Sequence, residues 1–195
     1  SYVAGTVVVS RAPQTITFGT ASSMQPGDSR TITTTTTSGS TATVTYVSGD
    51  CTYDAATGVA TASASLSDPI APCVLSASVG SSTNYLAAGP TTFTINLSRI
   101  DQTITVSNFT KTYGDANFSA GASASSGLTV SLSSGNTAVA TVSGGTITIQ
   151  GVGTATITAT QAGNGTYNAA TTRTFTVTVQ PAELTVTALS HSLTY

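Results

Sequence analysis

Short stretches of strictly alternating apolar and polar residues run through the chain. The clearest examples place six apolar side chains at every second position: Ala155, Ile157, Ala159, Phe175, Val177 and Val179. Threonine fills most of the positions between them, and its β-branched side chain suits the exposed face of a strand. A period of two predicts antiparallel strands with one buried face. We therefore expect these six side chains to form part of a core.

Glycine-rich turns separate these stretches. Ser48-Gly49-Asp50, Ser143-Gly144-Gly145 and Gly163-Asn164-Gly165 are typical turn sequences. Many short strands separated by such turns indicate a sandwich or barrel, and no stretch has the period of a helix. The run of threonines at residues 31–37 is expected to form one polar strand with threonine on both faces.

Two blocks of sequence occur twice. Gln14-Thr15-Ile16-Thr17-Phe18 recurs 88 residues later as Gln102-Thr103-Ile104-Thr105-Val106, and Thr92-Phe93-Thr94-Ile95 recurs 82 residues later as Thr174-Phe175-Thr176-Val177. The first copy therefore carries about six extra residues, which we place near the cysteines. Copies of roughly 80–90 residues fit an immunoglobulin-like sandwich of seven strands. The predicted fold class is all-β, with tandem immunoglobulin-like β-sandwiches.

The repeats also suggest domain boundaries. Residues 11–98 and 99–180 are predicted to form two complete domains. Residues 1–10 resemble the last strand of a preceding copy, and residues 181–195 resemble the start of a further one. We therefore expect this sequence to be a segment of a longer array.

Cys51 and Cys73 are the only cysteines. Structural zinc requires four ligands, so the pair is a poor metal site. A disulfide is the favoured interpretation and indicates an oxidising, extracellular setting; two buried free thiols are the alternative. Alignment of the copies places Cys73 opposite Ala155 and Cys51 near Thr137 or Ala138.

Composition excludes several classes of function. Only 6% of residues are charged and only five are lysine or arginine, too few to neutralise a nucleic acid. No run of 18 apolar residues occurs, so no membrane insertion is expected in this segment. The single histidine, His191, lies outside both complete copies, which leaves them without histidine-based acid–base chemistry. We expect neither an enzyme nor a cofactor.

Three carboxylates lie close together in sequence around the cysteines: Asp50, Asp54 and Asp68. They are weak candidates for calcium, which needs six to eight oxygen ligands. Aspartate is also common in turns, where it accepts hydrogen bonds from its own backbone. We favour the turn interpretation and predict no metal site.

Two motifs carry a family resemblance. Lys111-Thr112-Tyr113-Gly114-Asp115 resembles the KTYGD motif of bacterial immunoglobulin-like repeats of the MBG type, and residues 153–167 are similar to the GTATITATQAGNxxY segment of such repeats. The first copy has Met24-Gln25-Pro26-Gly27-Asp28 in place of KTYGD, and its cysteine pair matches a frequent variant of these repeats. The resemblance implies a large secreted or surface-anchored protein, often an adhesin.

These observations lead to one expected function and two alternatives. We expect a structural repeat segment of an extracellular bacterial adhesin stalk or surface fibre, whose partners are neighbouring immunoglobulin-like domains of the same chain or fibre. The first alternative is a filament subunit that self-associates by exchanging strands through residues 1–10 and 183–195. The second is a carbohydrate- or ice-binding module that uses exposed threonines such as those at residues 31–37.

Overall fold

A computed structural model describes residues 8–186, and these residues contain no helix and seventeen strands. Consequently, no helix in this part of the chain is long and apolar enough to cross a membrane. The described residues divide into two compact units. The first unit comprises residues 8–100 with Asn164–Asn168, and the second comprises Asp101–Gly163 with residues 169–186.

The first unit contains eight strands in three sheets, ordered β1-β3, β2-β6-β5 and β4-β7-β8. Their bounds are β1 Ile16–Phe18, β2 Ser29–Thr31, β3 Thr34–Thr36, β4 Thr43–Ser48, β5 Cys51–Asp54, β6 Val59–Ala62, β7 Cys73–Val79 and β8 Ala88–Ile95. One cluster of buried apolar side chains, centred on Met24, Leu75 and Ile95, fills this unit. The unit is β-sandwich-like.

The second unit contains nine strands in sheets ordered β9-β12, β11-β15-β14 and β10-β17-β16-β13. Their bounds are β9 Ile104–Thr105, β10 Phe109–Thr112, β11 Phe118–Ser119, β12 Ser123–Ala124, β13 Ser131–Ser134, β14 Ala140–Ser143, β15 Thr146–Ile149, β16 Gly153–Thr160 and β17 Arg173–Gln180. Strands β16 and β17 pair antiparallel, with Ile157 opposite Phe175. The six apolar residues of these two strands are at most 3% exposed: Ala155, Ile157, Ala159, Phe175, Val177 and Val179.

The two units share a strand order. The sheet β2-β6-β5 of the first unit corresponds to β11-β15-β14 of the second, and β4-β7-β8 corresponds to β13-β16-β17. A tight turn is also shared, because the backbone N–H of Gln25 donates to Asp28 Oδ2 (3.1 Å) and that of Thr112 donates to Asp115 Oδ2 (2.9 Å). The Met24–Asp28 segment therefore forms the same turn as the KTYGD segment although the sequences differ.

The threonine run at residues 31–37 does not form one strand, contrary to the prediction. Strand β2 ends at Thr31 and pairs with β6, whereas β3 begins at Thr34 and pairs with β1. Ile32, the only apolar residue of the run, is buried, and its N–H donates to Gly58 O (2.8 Å). Burying this one side chain breaks the run and sends the chain from one sheet to another.

The predicted flanking strands are only partly described. Residues 8–10 and 181–186 are not in strands, and the remainder of the proposed flanking copies, including His191, lies outside the described residues. Four large apolar side chains in these flanks are more than 80% exposed: Val8, Val9, Leu184 and Val186.

Candidate functional site

A disulfide joins Cys51 and Cys73, with their Cα atoms 5.5 Å apart. The predicted pairing is confirmed, and the alternative of free thiols is wrong. Cys51 begins β5 and Cys73 begins β7, so the bond links two sheets of the first unit. Both residues are buried. Closing a loop of this length stabilises a fold by about 3 kcal/mol in the loop-entropy picture.

The position predicted to match Cys51 in the second unit was wrong by two or three residues. Cys51 pairs with Ala62 at one end of its hairpin, and Ala140 pairs with Ile149 at the same end of the corresponding hairpin. Ala140 is therefore the structural counterpart, not Thr137 or Ala138. The reason is that the turn of the β5–β6 hairpin is longer than that of the β14–β15 hairpin. A fixed sequence offset between the copies does not account for this difference.

Asp50 organises the connection that leads into Cys73. Its Oδ2 accepts hydrogen bonds from the N–H and hydroxyl of Ser67 (2.8 and 2.7 Å) and from the N–H of Ala71 (3.1 Å). The Ser67 hydroxyl is the largest cause of a lowered pKa at Asp50. This connection, between Ala62 and Cys73, is longer than the one between Ile149 and Gly153 in the second unit.

The other two candidate carboxylates lie in separate turns. Asp54 accepts hydrogen bonds from Ala56 N–H (2.9 Å) and the Thr57 hydroxyl (2.7 Å), and the Thr57 bond is the main cause of its lowered pKa. Asp68 has an 89% exposed side chain that lies 3.9 Å from Arg99. Within residues 8–186, no group of three His, Cys, Asp or Glu side chains is placed to hold a metal ion. The structure therefore does not bring the three calcium candidates together.

Strand β10 forms the one parallel pairing among the named strands of residues 8–186. Its four residues lie beside β17, from Phe109 opposite Val177 to Thr112 opposite Gln180. Two further hydrogen bonds extend the pairing. Thr176 N–H donates to Asn108 Oδ1 (2.8 Å) before it, and Tyr113 N–H donates to Gln180 O (2.8 Å) after it.

The side chains of β10 attach it to the core of the second unit. The Phe109 ring lies 5.0 Å from that of Phe118 and 6.0 Å from that of Phe175, measured between centroids. The ammonium of Lys111 lies 4.8 Å from the centroid of Phe118, within the range of a cation–π contact. The sequence pattern did not identify β10 as a functional element. In β10, larger side chains alternate with threonine. This alternation indicates a strand, but it does not indicate that the strand pairs in parallel.

The outer face of the sheet β10-β17-β16-β13 carries hydroxyl groups in rows. Thr110, Thr178 and Thr154 face one another across three strands, and Thr176 pairs with Thr156 in the next row. Alternate residues of a strand share a face, so these threonines lie opposite the buried apolar residues. The result is an uncharged surface that carries hydroxyl groups.

An open groove of about 580 Å³ lies on the second unit. Its walls come from the segment around Leu128, from Leu132 of β13 and from the Gly144–Gly145 turn. No aromatic or charged side chain lines this groove. Aromatic side chains supply much of the contact area in recognition sites, so the groove offers little support for the carbohydrate-binding alternative.

No family model matches the chain, and no curated protein matches it. The resemblance to MBG-type repeats therefore rests on the quoted motifs.

Proposed function

We propose that the chain is a structural repeat segment of an extracellular stalk or surface fibre of the bacterial adhesin kind. The observation that carries the proposal is the recurrence of one strand order in two successive units. An array of similar units acts as a spacer between the parts of the protein or fibre at its two ends. Such a role needs stable folding and stable connections rather than a catalytic centre.

Equivalent hydrogen bonds in the two units support the interpretation as repeats. The buried side chain of Gln14 accepts a hydrogen bond from the Ser38 hydroxyl, and buried Gln102 accepts one from Ser126 in the same way. Both glutamines precede the first strand of their unit. A buried polar side chain requires a partner, so its reuse at the same place supports two copies of one module.

The chemistry of the first unit supports an extracellular location. Disulfides persist in oxidising compartments and are rare where thiols are kept reduced. The bond between Cys51 and Cys73 is buried between two sheets, where it reinforces a small core. The rows of threonine on the second unit suit a surface that stays hydrated without carrying charge.

Protease treatment of intact cells that express the native protein tests this proposal. An antibody raised against residues 11–180 should lose its signal when external protease is added, while a cytoplasmic marker protein stays intact. Alkylation of the same cells before lysis should leave Cys51 and Cys73 unlabelled unless a reductant is added. A signal protected from protease until the cells are lysed, together with labelled cysteines, would overturn the proposal.

A further inference from the structure

We propose that the parallel pairing of β10 with β17 is a mechanical clamp that makes the second unit the more force-resistant of the two. The use of such a clamp rests on the proposed function, because a stalk or fibre carries tension. The clamp itself is a property of the second unit and can be measured on the purified chain.

The direction of the two strands sets how tension acts on them. Force enters the second unit on the N-terminal side of β10 and leaves it after the C-terminal end of β17. Because the strands run parallel, tension on the two ends pulls them in opposite directions along one common axis. All hydrogen bonds between them then carry load together, whereas bonds loaded from one end of a hairpin break one after another.

The clamp is longer than its four paired residues. The bonds from Thr176 N–H to Asn108 and from Tyr113 N–H to Gln180 add to it at either end. Sliding β10 along β17 would also separate Phe109 from its neighbouring rings and expose apolar surface to water. The preceding strand, β9, is paired with β12 at only two positions, so the β10–β17 pairing is the larger barrier.

The first unit has a weaker version of this device. Its parallel contacts are isolated bridges, which join Ala12 to Tyr85, Met24 to Leu97 and Ile100 to Tyr167. The Met24 bridge consists of two hydrogen bonds: Met24 N–H donates to Asn96 O (3.0 Å), and Ser98 N–H donates to Met24 O (3.1 Å). We therefore expect the first unit to open at the lower force.

The disulfide of the first unit limits how far that unit can extend. Its two cysteines are 22 residues apart, and both lie between the ends through which tension acts. The segment between them cannot lengthen while the bond is intact, and it would contribute about 75 Å when extended. With the disulfide intact, the first unit would then unfold at a low force and extend by a short distance, whereas the second unit would remain folded at that force.

Single-molecule force spectroscopy on the full chain, held at both ends, tests the clamp. We expect two unfolding events, of which the lower-force event gains about 75 Å when the disulfide, whose cysteines are 22 positions apart, is reduced. The higher-force event should keep its length and force under reduction. If the event that lengthens on reduction is the one at higher force, the proposal is wrong.

A matched pair of proline variants locates the load-bearing bonds. Tyr113 N–H faces β17, so Lys111 N–H, two residues earlier, faces it too, whereas Thr112 N–H turns away to Asp115. Lys111→Pro removes an N–H that faces β17 and should abolish the force difference between the two events. The N–H of Thr110 turns away from β17, so Thr110→Pro should preserve the difference. Equal effects of the two variants would overturn the proposal. Lys111→Met should keep the high force, because it loses the charge but no backbone donor.

A second pair covers the case in which proline prevents folding. Asn108→Ala removes the oxygen that binds Thr176 N–H, while Asn117→Ala changes the same residue type outside both strands. The first variant should lower the unfolding force of the second unit and the other should leave it unchanged. No difference between them would contradict the clamp. Neither result depends on cell location, so a failure of the protease experiment would remove the proposed function and leave the clamp standing.

Discussion

Replacing Ile157 with alanine tests whether β16 forms the centre of the second core. Ile157 is fully buried and pairs with Phe175 on one side and Ser134 on the other. Its neighbours are held by two ladders, so they cannot readily collapse into the space that the substitution would create. The cost should therefore include both the lost burial and the cavity.

The magnitude follows from these two contributions. Isoleucine to alanine in a core costs about 2–5 kcal/mol, and full burial in a rigid ladder places this site at about 3–4 kcal/mol. A domain of this size is stable by only about 4–12 kcal/mol. The second unit of the variant should thus unfold about 100 to 1,000 times more often. Ile157→Asp, which would bury an unpaired charge, should unfold the second unit.

Hydrogen exchange measured by mass spectrometry gives the result separately for each unit. Peptides from β16 and β17 should exchange much faster in Ile157→Ala, and those from β7 and β8 should be unchanged. Thr156→Ala is the matched control, since this neighbouring side chain is exposed and its loss should cost under about 1 kcal/mol. Equal exchange in the two variants, or a soluble and cooperatively folded Ile157→Asp protein, would refute the assignment of this strand.

Three further predictions concern the first unit. Reducing the disulfide should lower its stability by about 3 kcal/mol and leave the second unit unchanged in hydrogen exchange; an equal loss in both would contradict the assignment. The Ser67 hydroxyl lowers the pKa of Asp50 in the folded state, so this carboxylate contributes stability above the ordinary value of 3.8 that is lost as the pH falls below it. Asp50→Asn should flatten the acid dependence of the unfolding midpoint measured by circular dichroism, and an unchanged slope would refute the role of the carboxylate. Gly49→Ala should lower the melting temperature more than Gly39→Ala: both glycines have positive φ, but only at Gly49 would the new Cβ meet Pro72 O, at 2.0 Å. Equal losses would show that the close approach is not restrictive.

Alternation was a sufficient signal for the strands that cross a core. The period of two in β16 and β17 follows from one face being buried and the other exposed, and both strands lie where the pattern placed them. The threonine run failed for the same reason, since a stretch of one residue type has no period. There the side chain of Ile32 decides the path of the chain, and its burial depends on a core that a local pattern does not contain.

The sequence did not predict which strands pair with one another or in which direction. The residues of β10 alternate like any short strand, and nothing in them distinguishes a parallel partner from an antiparallel one. The error over the counterpart of Cys51 has a related cause, because register depends on the length of a turn and the offset between the copies changes inside the hairpin. The disulfide itself was predictable, because two cysteines offer a single intramolecular pairing.

Immunogold electron microscopy of intact cells tests the central claim most directly. An antibody against residues 11–180 should label thin fibres or stalks that project from the surface of cells expressing the native protein. Cells lacking the gene should show no such label. Label confined to the cytoplasm, or confined to the cell surface with no projecting structure, would contradict the account.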